Sequence, residues 1–515
     1  MAAGYALDLL GLPIAPWALL VTFVVALMRA AVVLKPRFDP VFLLVVAGMF
    51  AYAMWQAAPA FLPVTNGPDV VHHLQLIHVI AATGRLPHDA AQSPYLLEMM
   101  SYTPGSHVLA AAVAAWLRVD ALRVVYPIAA FFVAIKAGSL YVLARRLIGA
   151  VPGGAIAALA APVLALAPVT YFLGSFVQFF FYAQVVSEAF AIGLIVALLR
   201  WTGTCERRDA AAVAMCAIGV VLSWPIWIVP CAMTIAFALM AAPMSWRSRA
   251  IAGASMLAPA LTIAAVHQLT HRDAASILTA SGAVTAPSLA VLGVAFLHFA
   301  VGGMLDALRQ RATRLVSVFL VSTLLTALAL AGLGGFRSLY MPFKMVYLAV
   351  LPGAVLAALL LAHAGNAFAR RLRRGPVVGA GSALILAVLI THEPAPVPRM
   401  RGSLSLPARD VGLWAHGHVP AACVDYFSKY WLTGYWLHLD VLGNPRLSDR
   451  MRQETFDFPD VAAKWIEGRG LPYAIVEDMQ AIPREIRSEM TPMYQSGPFV
   501  LVRNARPAAC AEAAR

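Results

Sequence analysis

Charged side chains are what this sequence has least of: Asp, Glu, Lys and Arg make up 12% of 515 residues. A water-soluble domain carries about 25%. With 61% of residues hydrophobic and a mean hydropathy of +0.77, too little polar surface remains to clothe a soluble globule, so the chain reads as a membrane protein. Cysteine is scarce as well, at five. Cys205 sits in a basic connection, while Cys216 and Cys231 fall in apolar runs, where Cys serves as a small hydrophobe. Cys423 and Cys510 stand far downstream, where an oxidising compartment would permit a disulfide; two free thiols are the alternative. No basic stretch precedes the first apolar run, whose charges Arg29, Lys35 and Arg37 follow it. That pattern excludes a cleavable signal peptide and favours an N-terminus outside. The membrane part shows no internal repeat, which weighs against the doubled build of many transporters. Nor does the sequence hold a strong motif for nucleotide phosphates.

What is there is a succession of apolar runs near 12–34, 40–59, 121–143, 152–168, 183–200, 209–222, 226–243, 250–267, 287–305, 314–333, 340–362 and 376–392. A crossing takes about 17–25 mostly apolar residues, so these predict about twelve transmembrane helices. The run 209–222 is short, and Ser223-Trp224-Pro225 could instead form a kinked tight hairpin. Every second connection is basic, as in Arg145-Arg146, Arg207-Arg208 and Arg370-Arg371, whereas the opposite face holds only Arg85, Arg118, Arg272 and Arg337. The net charge of +13 is therefore a topology signal that puts the Arg-rich face in the cytoplasm, not a nucleic-acid footprint. Residues 104–117 are apolar but short. If they crossed, as a thirteenth span, every later Arg cluster would change sides, so they read as a helix lying in or re-entering the outer boundary.

The remaining parts are an outer loop over 60–120 and a tail over 393–515. The tail opens on a stiff Pro-rich joint, His392-Glu393-Pro394-Ala395-Pro396-Val397-Pro398. Strands are expected at Ala422–Phe427, Tyr473–Val476 and Phe499–Val502, and helices at Pro459–Glu467 and Arg484–Met490. At about 120 residues the tail can form a small α/β domain of its own. The fold class is thus an all-α polytopic membrane protein, residues 1–392, followed by a small C-terminal α/β domain on the outer side.

Chemistry gathers in the outer loop. Asn66-Gly67-Pro68-Asp69 is a helix start, and a helix to about Thr83 places Asp69, His72, His73 and Leu76 on one face, with His78 turned away. Asp69 in the first turn is favoured as a carboxylate by the helix dipole, which suits a base that takes a proton from a hydroxyl. The plainer reading is that it only completes the helix N-terminus. His72 and His73 could ligate a metal with Asp69, but without firm further ligands hydrogen bonding is the better reading and no metal ligand is assigned.

Asp69 after an early membrane helix, the His residues, the Gly84-Arg85-Leu86-Pro87 turn and Tyr102-Thr103-Pro104-Gly105-Ser106-His107 before an apolar helix together resemble the GT-C superfamily of polyprenyl-phosphate-dependent glycosyltransferases. So do Tyr171–Tyr182 and the layout of many helices before a small outer domain. The resemblance implies an inverting transfer of one sugar from a polyprenyl-phosphate donor to an extracytoplasmic acceptor (glycan, lipid or protein) by a hexosyl- or pentosyltransferase. In that family Asp69 would be the general base on the acceptor hydroxyl. The leaving phosphate wants cations, for which Arg337 and Lys344, near two helical turns apart, are candidates; snorkelling is the plain reading of Lys344. His72, His73, Tyr102, His107 and Arg272 complete the candidate substrate contacts, with His267, His271 and Asp273 beside Arg272 in a polar cluster. Many members carry two adjacent acids in the first loop. Here Asp69 stands alone, with Asp89, Glu98 and Asp273 as distant carboxylates, so a divalent metal cofactor stays open. The expected setting is a bacterial inner membrane, with the N-terminus and the tail domain outside the cytoplasm. The rivals are a transporter or flippase for a lipid-linked glycan and a non-catalytic relative that binds glycan. Lys136 as the one clear mid-span charge, with Glu188 near an outer end, makes a weak case for the transporter.

Overall fold

The computed structural model describes the chain except residues 35–38, 57, 59–68, 272–277, 279–281, 283, 311–312, 335–337, 393–403, 447–454 and 511–515. Arg272, Asp273, Arg337, the Asn66–Pro68 helix start and the Pro-rich joint after His392 therefore lie outside the described residues.

Each apolar run coincides with a helix or a broken pair of helices. Among the described residues five, Ala121–Ile148, Tyr182–Thr204, Trp246–Thr270, Arg314–Leu333 and Tyr340–Arg371, are long and apolar enough to cross a bilayer, and shorter apolar helices such as Pro16–Leu34, Pro40–Gln56 and Pro376–Thr391 pack around them. This is a multi-pass membrane protein. Tyr340–Arg371 forms its axis, with 89% of its most apolar stretch buried, against 17% for Trp246–Thr270 at the rim. Leu269 and Ile251 on that rim helix are 79% and 71% exposed, an apolar surface of the kind that lipid covers. Close packing on the axis uses small residues: a Cβ on Gly303 would meet the Leu356 carbonyl at 2.1 Å.

Two expectations are decided by how helices end. Arg207–Ser223 and Ile228–Ala241 are separate helices, broken at Trp224 (φ −145, ψ 88) and joined through a short 3-10 turn, Pro225–Trp227. Pro225 pushes the residue before it out of the helical region. The run 152–168 is likewise split, into Gly154–Ala158 and Ala160–Ala165. The helix Gly105–Leu117 starts where the Thr103 hydroxyl donates to the Ser223 carbonyl at 3.0 Å. Near its other end, Trp116 donates to the Pro16 carbonyl at 2.6 Å. Ser223 and Pro16 both belong to the Arg-poor end of the bundle, so these bonds tie the helix to that end.

The tail forms a four-stranded sheet in the order β1-β2-β4-β3, with β1 Val424–Phe427, β2 Tyr473–Val476, β3 Met490–Ser496 and β4 Phe499–Asn504. β1 and β2 run parallel; the other pairs are antiparallel. Alternation gives the sheet two apolar faces. Phe427, Val476 and Val502 face Val461 and Trp465 in a small separate core, whereas Tyr426, Ile475 and Leu501 join the core continuous with the membrane bundle. The helices are Phe458–Ile466, close to expectation, and Arg484–Arg487, which stops early because Met490 opens β3. β3 and the helix Leu406–His418 were not expected; Pro492 interrupts the β3 pattern, and an edge strand tolerates it. A disulfide joins Cys423, at the start of β1, to Cys510 beyond β4, which settles the cysteine alternatives.

Candidate functional site

The helix Asp69–Thr83 opens on Asp69, whose side chain is 37% exposed. One turn on, the buried His73 brings Nε2 to 3.9 Å from Asp69 Oδ2. His73 Nδ1 lies 2.9 Å from His107 Nε2 on Gly105–Leu117. Tyr102 meets His73 and His107 edge-on, at 5.4 and 5.6 Å between ring centres, and Tyr182 closes the cage at 5.9 Å from both. Burial draws the His73 pKa well below its ordinary value, reinforced by His107, His72 and Lys344. Burial likewise takes His107 down to about 3, against a hydrogen bond to the Thr103 backbone.

His72, expected on the same face, diverges from His73. Its Nδ1 lies 3.0 Å from Glu98 Oε1, and its Nε2 lies 2.6 Å from the Tyr435 hydroxyl of the tail. Arg446 donates both ways, through Nη1 to the Glu98 carboxylate at 2.6 and 2.7 Å and through Nε and Nη2 to Gln75 Oε1 at 3.1 and 2.8 Å. Burial alone would raise the Glu98 carboxyl, but hydrogen bonds and charge from His72 and Arg446 hold it at about 2. Glu98, expected to stand far off, is thus part of the site. Arg446, Gln75 and Tyr435 were not foreseen, since no local pattern links residues 371 positions apart.

Lys344, in the second turn of Tyr340–Arg371, points into aromatic walls: its Nζ sits 3.5 Å from the Phe181 ring centre and 4.8 Å from those of Trp224 and Tyr340. It is 2% exposed and, among the described residues, forms no ion pair. Such packing suits a cation kept dry and available. Asp69 feels it: burial raises the Asp69 carboxyl above its ordinary value, while Lys344 and then His72 pull it back. The structure therefore gathers Asp69, His72, His73, Tyr102, His107 and Lys344 in one place. His267 stands elsewhere, with its ring nitrogens 3.2 Å from the Tyr5 hydroxyl and 3.1 Å from the Ser101 carbonyl, stacked on His271 at 4.4 Å.

A divalent metal finds no ligand set among the described residues, where no three His, Cys, Asp or Glu groups converge. Among the described residues, the ligand-type side chain within 4 Å of Asp69 is His73, and His73 is engaged by His107.

His78 faces away, as its spacing predicts, and meets the tail: Nδ1 is 3.2 Å from Asp440 Oδ1 and Nε2 is 4.0 Å from Asp120 Oδ1. Asp440 lies on a π-helical turn, Leu437–Val441, and its Oδ1 has no hydrogen bond among the described residues. Burial raises its carboxyl from 3.8 to about 6, with His78 opposing and Asp120 assisting. Between those values the folded state binds a proton that the unfolded state has lost, so this group's contribution falls as pH rises through 3.8 to 6. Asp440→Asn is expected to raise the melting temperature at neutral pH and to change it little below pH 3.8; a drop at neutral pH would contradict this account.

Two solved structures share the architecture. ArnT from Cupriavidus metallidurans, in a crystal structure bound to undecaprenyl phosphate, gives a TM-score of 0.51 over 90% of this chain and 97% of its own, at 12% identity. The arabinofuranosyltransferase AftD from Mycobacteria, seen by single-particle cryo-EM, gives 0.54 over 93% of this chain at 15% identity. This chain spans only 40% of AftD. No family model and no curated protein matches the sequence. At these identities the likeness is one of fold alone: this chain has the fold seen in ArnT and AftD.

Proposed function

We propose that the protein is an inverting glycosyltransferase that moves one sugar from a polyprenyl-phosphate donor to an acceptor hydroxyl on the Arg-poor side of the membrane. The observation that carries this reading is a part-exposed carboxylate, Asp69, within electrostatic reach of the dry Lys344 ammonium, which forms no ion pair among the described residues. Asp69 takes the proton of the acceptor hydroxyl as its oxygen attacks the anomeric carbon. The bond from that carbon to the phosphate oxygen breaks on the opposite face, and the phosphate leaves with the electron pair. A phosphate is a competent leaving group without a strong acid, and Lys344 supplies the charge that its departure needs. Arg272 and Arg337 remain candidates for the same phosphate. ArnT, solved with undecaprenyl phosphate, supports a polyprenyl carrier, and the bundle supplies the lipid setting.

In this reading the outer loop over 60–120 is the catalytic loop of a membrane domain over 1–392, and 393–515 is a domain on the same extracytoplasmic side. The test is transfer by the purified protein in liposomes, from a panel of polyprenyl-phosphate hexoses and pentoses to glycan, lipid and protein acceptors. Expected is the release of polyprenyl phosphate in step with glycosylated acceptor. Failure of every donor, together with passage of a lipid-linked sugar across the bilayer, would replace this reading by a transporter.

A further inference from the structure

The first helix of the tail, Leu406–His418, leaves an apolar stripe uncovered. Ala408, Val411, Gly412 and Ala415 are its buried residues and share one face. At 3.6 residues per turn, Leu406 and Leu413 fall on the opposite face, where they are 44% and 46% exposed. Arg409 flanks that stripe on one side, and its Nη2 donates to Asp120 Oδ2 at 2.7 Å. On the other side Trp414 stacks on Tyr494 at 5.0 Å between ring centres, and the Tyr494 hydroxyl donates to Asp410 at 2.9 Å.

The Arg409–Asp120 bridge fixes the level at which the stripe hangs. Asp120 caps the helix Ala121–Ile148 at its Arg-poor end, away from Arg145 and Arg146. Six residues on, the Tyr126 hydroxyl donates to the Ala53 carbonyl of Pro40–Gln56 at 2.8 Å. Just outward of Ala53, Trp55 is exposed, its ring 6.3 Å from that of the exposed Tyr52. Lipid-facing Trp and Tyr collect at the headgroup level. With a rise of about 1.5 Å per residue, Asp120 stands about 9 Å outward of Tyr126 and Trp55 about 3 Å outward of Ala53. Asp120 is thus roughly 6 Å above the aromatic pair, inside a headgroup layer about 5–8 Å deep. Leu117 and Val119, exposed just before Asp120, continue the apolar surface there. So does the exposed Trp17, next to the Pro16 carbonyl that Trp116 binds.

We infer that the helix Leu406–His418 is a lipid-binding surface, lying in the outer headgroup layer with Leu406 and Leu413 turned to the acyl boundary. A surface helix with leucines on one side and an aromatic flank is a form that settles in that layer. Arg118 and Arg123, exposed on either side of Asp120, suit the phosphates of the surrounding lipids. The tail is held to the membrane by its own side chains as well as by the bundle, whatever reaction the Asp69 site performs. A protein partner, or a second copy of the chain, could cover the stripe only if it stood clear of the headgroups, and the bridge to Asp120 holds it among them.

Nitroxide accessibility in the full-length protein decides the matter. Cys205, Cys216 and Cys231 are replaced by alanine, the Cys423–Cys510 disulfide is kept, and a label is placed at Leu406→Cys or Leu413→Cys. In nanodiscs of phosphatidylglycerol and phosphatidylethanolamine, both labels are expected to be several times more accessible to oxygen than to a water-soluble nickel chelate. Both should read shallower than a label at Leu261→Cys, in the middle part of the lipid-facing helix Trp246–Thr270. Nickel access matching or exceeding that of oxygen would put the stripe in water, and low access to both would put it under protein. Either result overturns the inference. A second arm leaves every cysteine in place. The fluorescence gained by Leu413→Trp over wild type is expected to be largely lost in nanodiscs of lipids brominated in the upper half of the acyl chains. An equal gain in brominated and unbrominated lipid would place residue 413 out of reach of the bilayer and refute the lipid contact.

Discussion

Asp69→Asn is expected to lower kcat about 10²–10⁴-fold while leaving the KM for the lipid-linked donor nearly unchanged. The amide keeps the size and helix position of the side chain but cannot accept a proton. The wild-type profile sharpens this test. Because burial raises the Asp69 carboxyl despite Lys344 and His72, activity should decline on acidification at a pH above the ordinary carboxylate range, as the base fills with a proton. In the Asn variant that limb should vanish from the residual rate. Full activity in Asp69→Asn would remove the general base from the mechanism. A large rise in donor KM at constant kcat would make Asp69 a binding group.

Lys136→Met is expected to be among the most destabilising single changes in the membrane part. Lys136, on Ala121–Ile148, and Glu188, on Tyr182–Thr204, are both fully buried and paired with each other. The ammonium also donates to the Phe172 carbonyl at 3.1 Å and lies over the Phe172 ring, while Gln184 donates to the other Glu188 oxygen at 3.3 Å. Removing either partner leaves a charge in a dry interior, at a cost of about 3–5 kcal/mol. Replacing both by apolar residues of similar size should recover most of that loss. Thermal denaturation of Lys136→Met, Glu188→Leu and the double variant in nanodiscs measures it. A double variant whose loss equals the sum of the two single losses would show that the pair contributes nothing beyond its separate members.

That pair also shows where reading the sequence stops. Lys136 was legible as a mid-span charge and Glu188 as an acid near a helix end, but their pairing depends on how two helices rotate against each other. The helices themselves were legible because lipid imposes a length and an apolar composition that leave few alternatives. The reading of Gly105–Leu117 as a boundary helix came from charge alone, since only one arrangement keeps the Arg clusters on one side. The site was half visible. Asp69 and Lys344 stood out as charges in unusual company, and His73 as the residue one turn on. Glu98 looked remote because its distance was counted along the chain, and Arg446 had no mark of its own among the charged residues of the tail. β3 was hidden by Pro492, which a central strand would not tolerate and an edge strand does.

The chain from Tyr435 and Arg446 through His72, Glu98 and Gln75 has a consequence for engineering. The helix that carries Asp69 is gripped on one side by side chains translated more than 350 positions later. The two parts of the molecule are therefore not interchangeable modules. A chimera that grafts a foreign tail onto this bundle would have to bring its own arginine and tyrosine at matching places, or the nascent site would stay unbraced however well the helices insert.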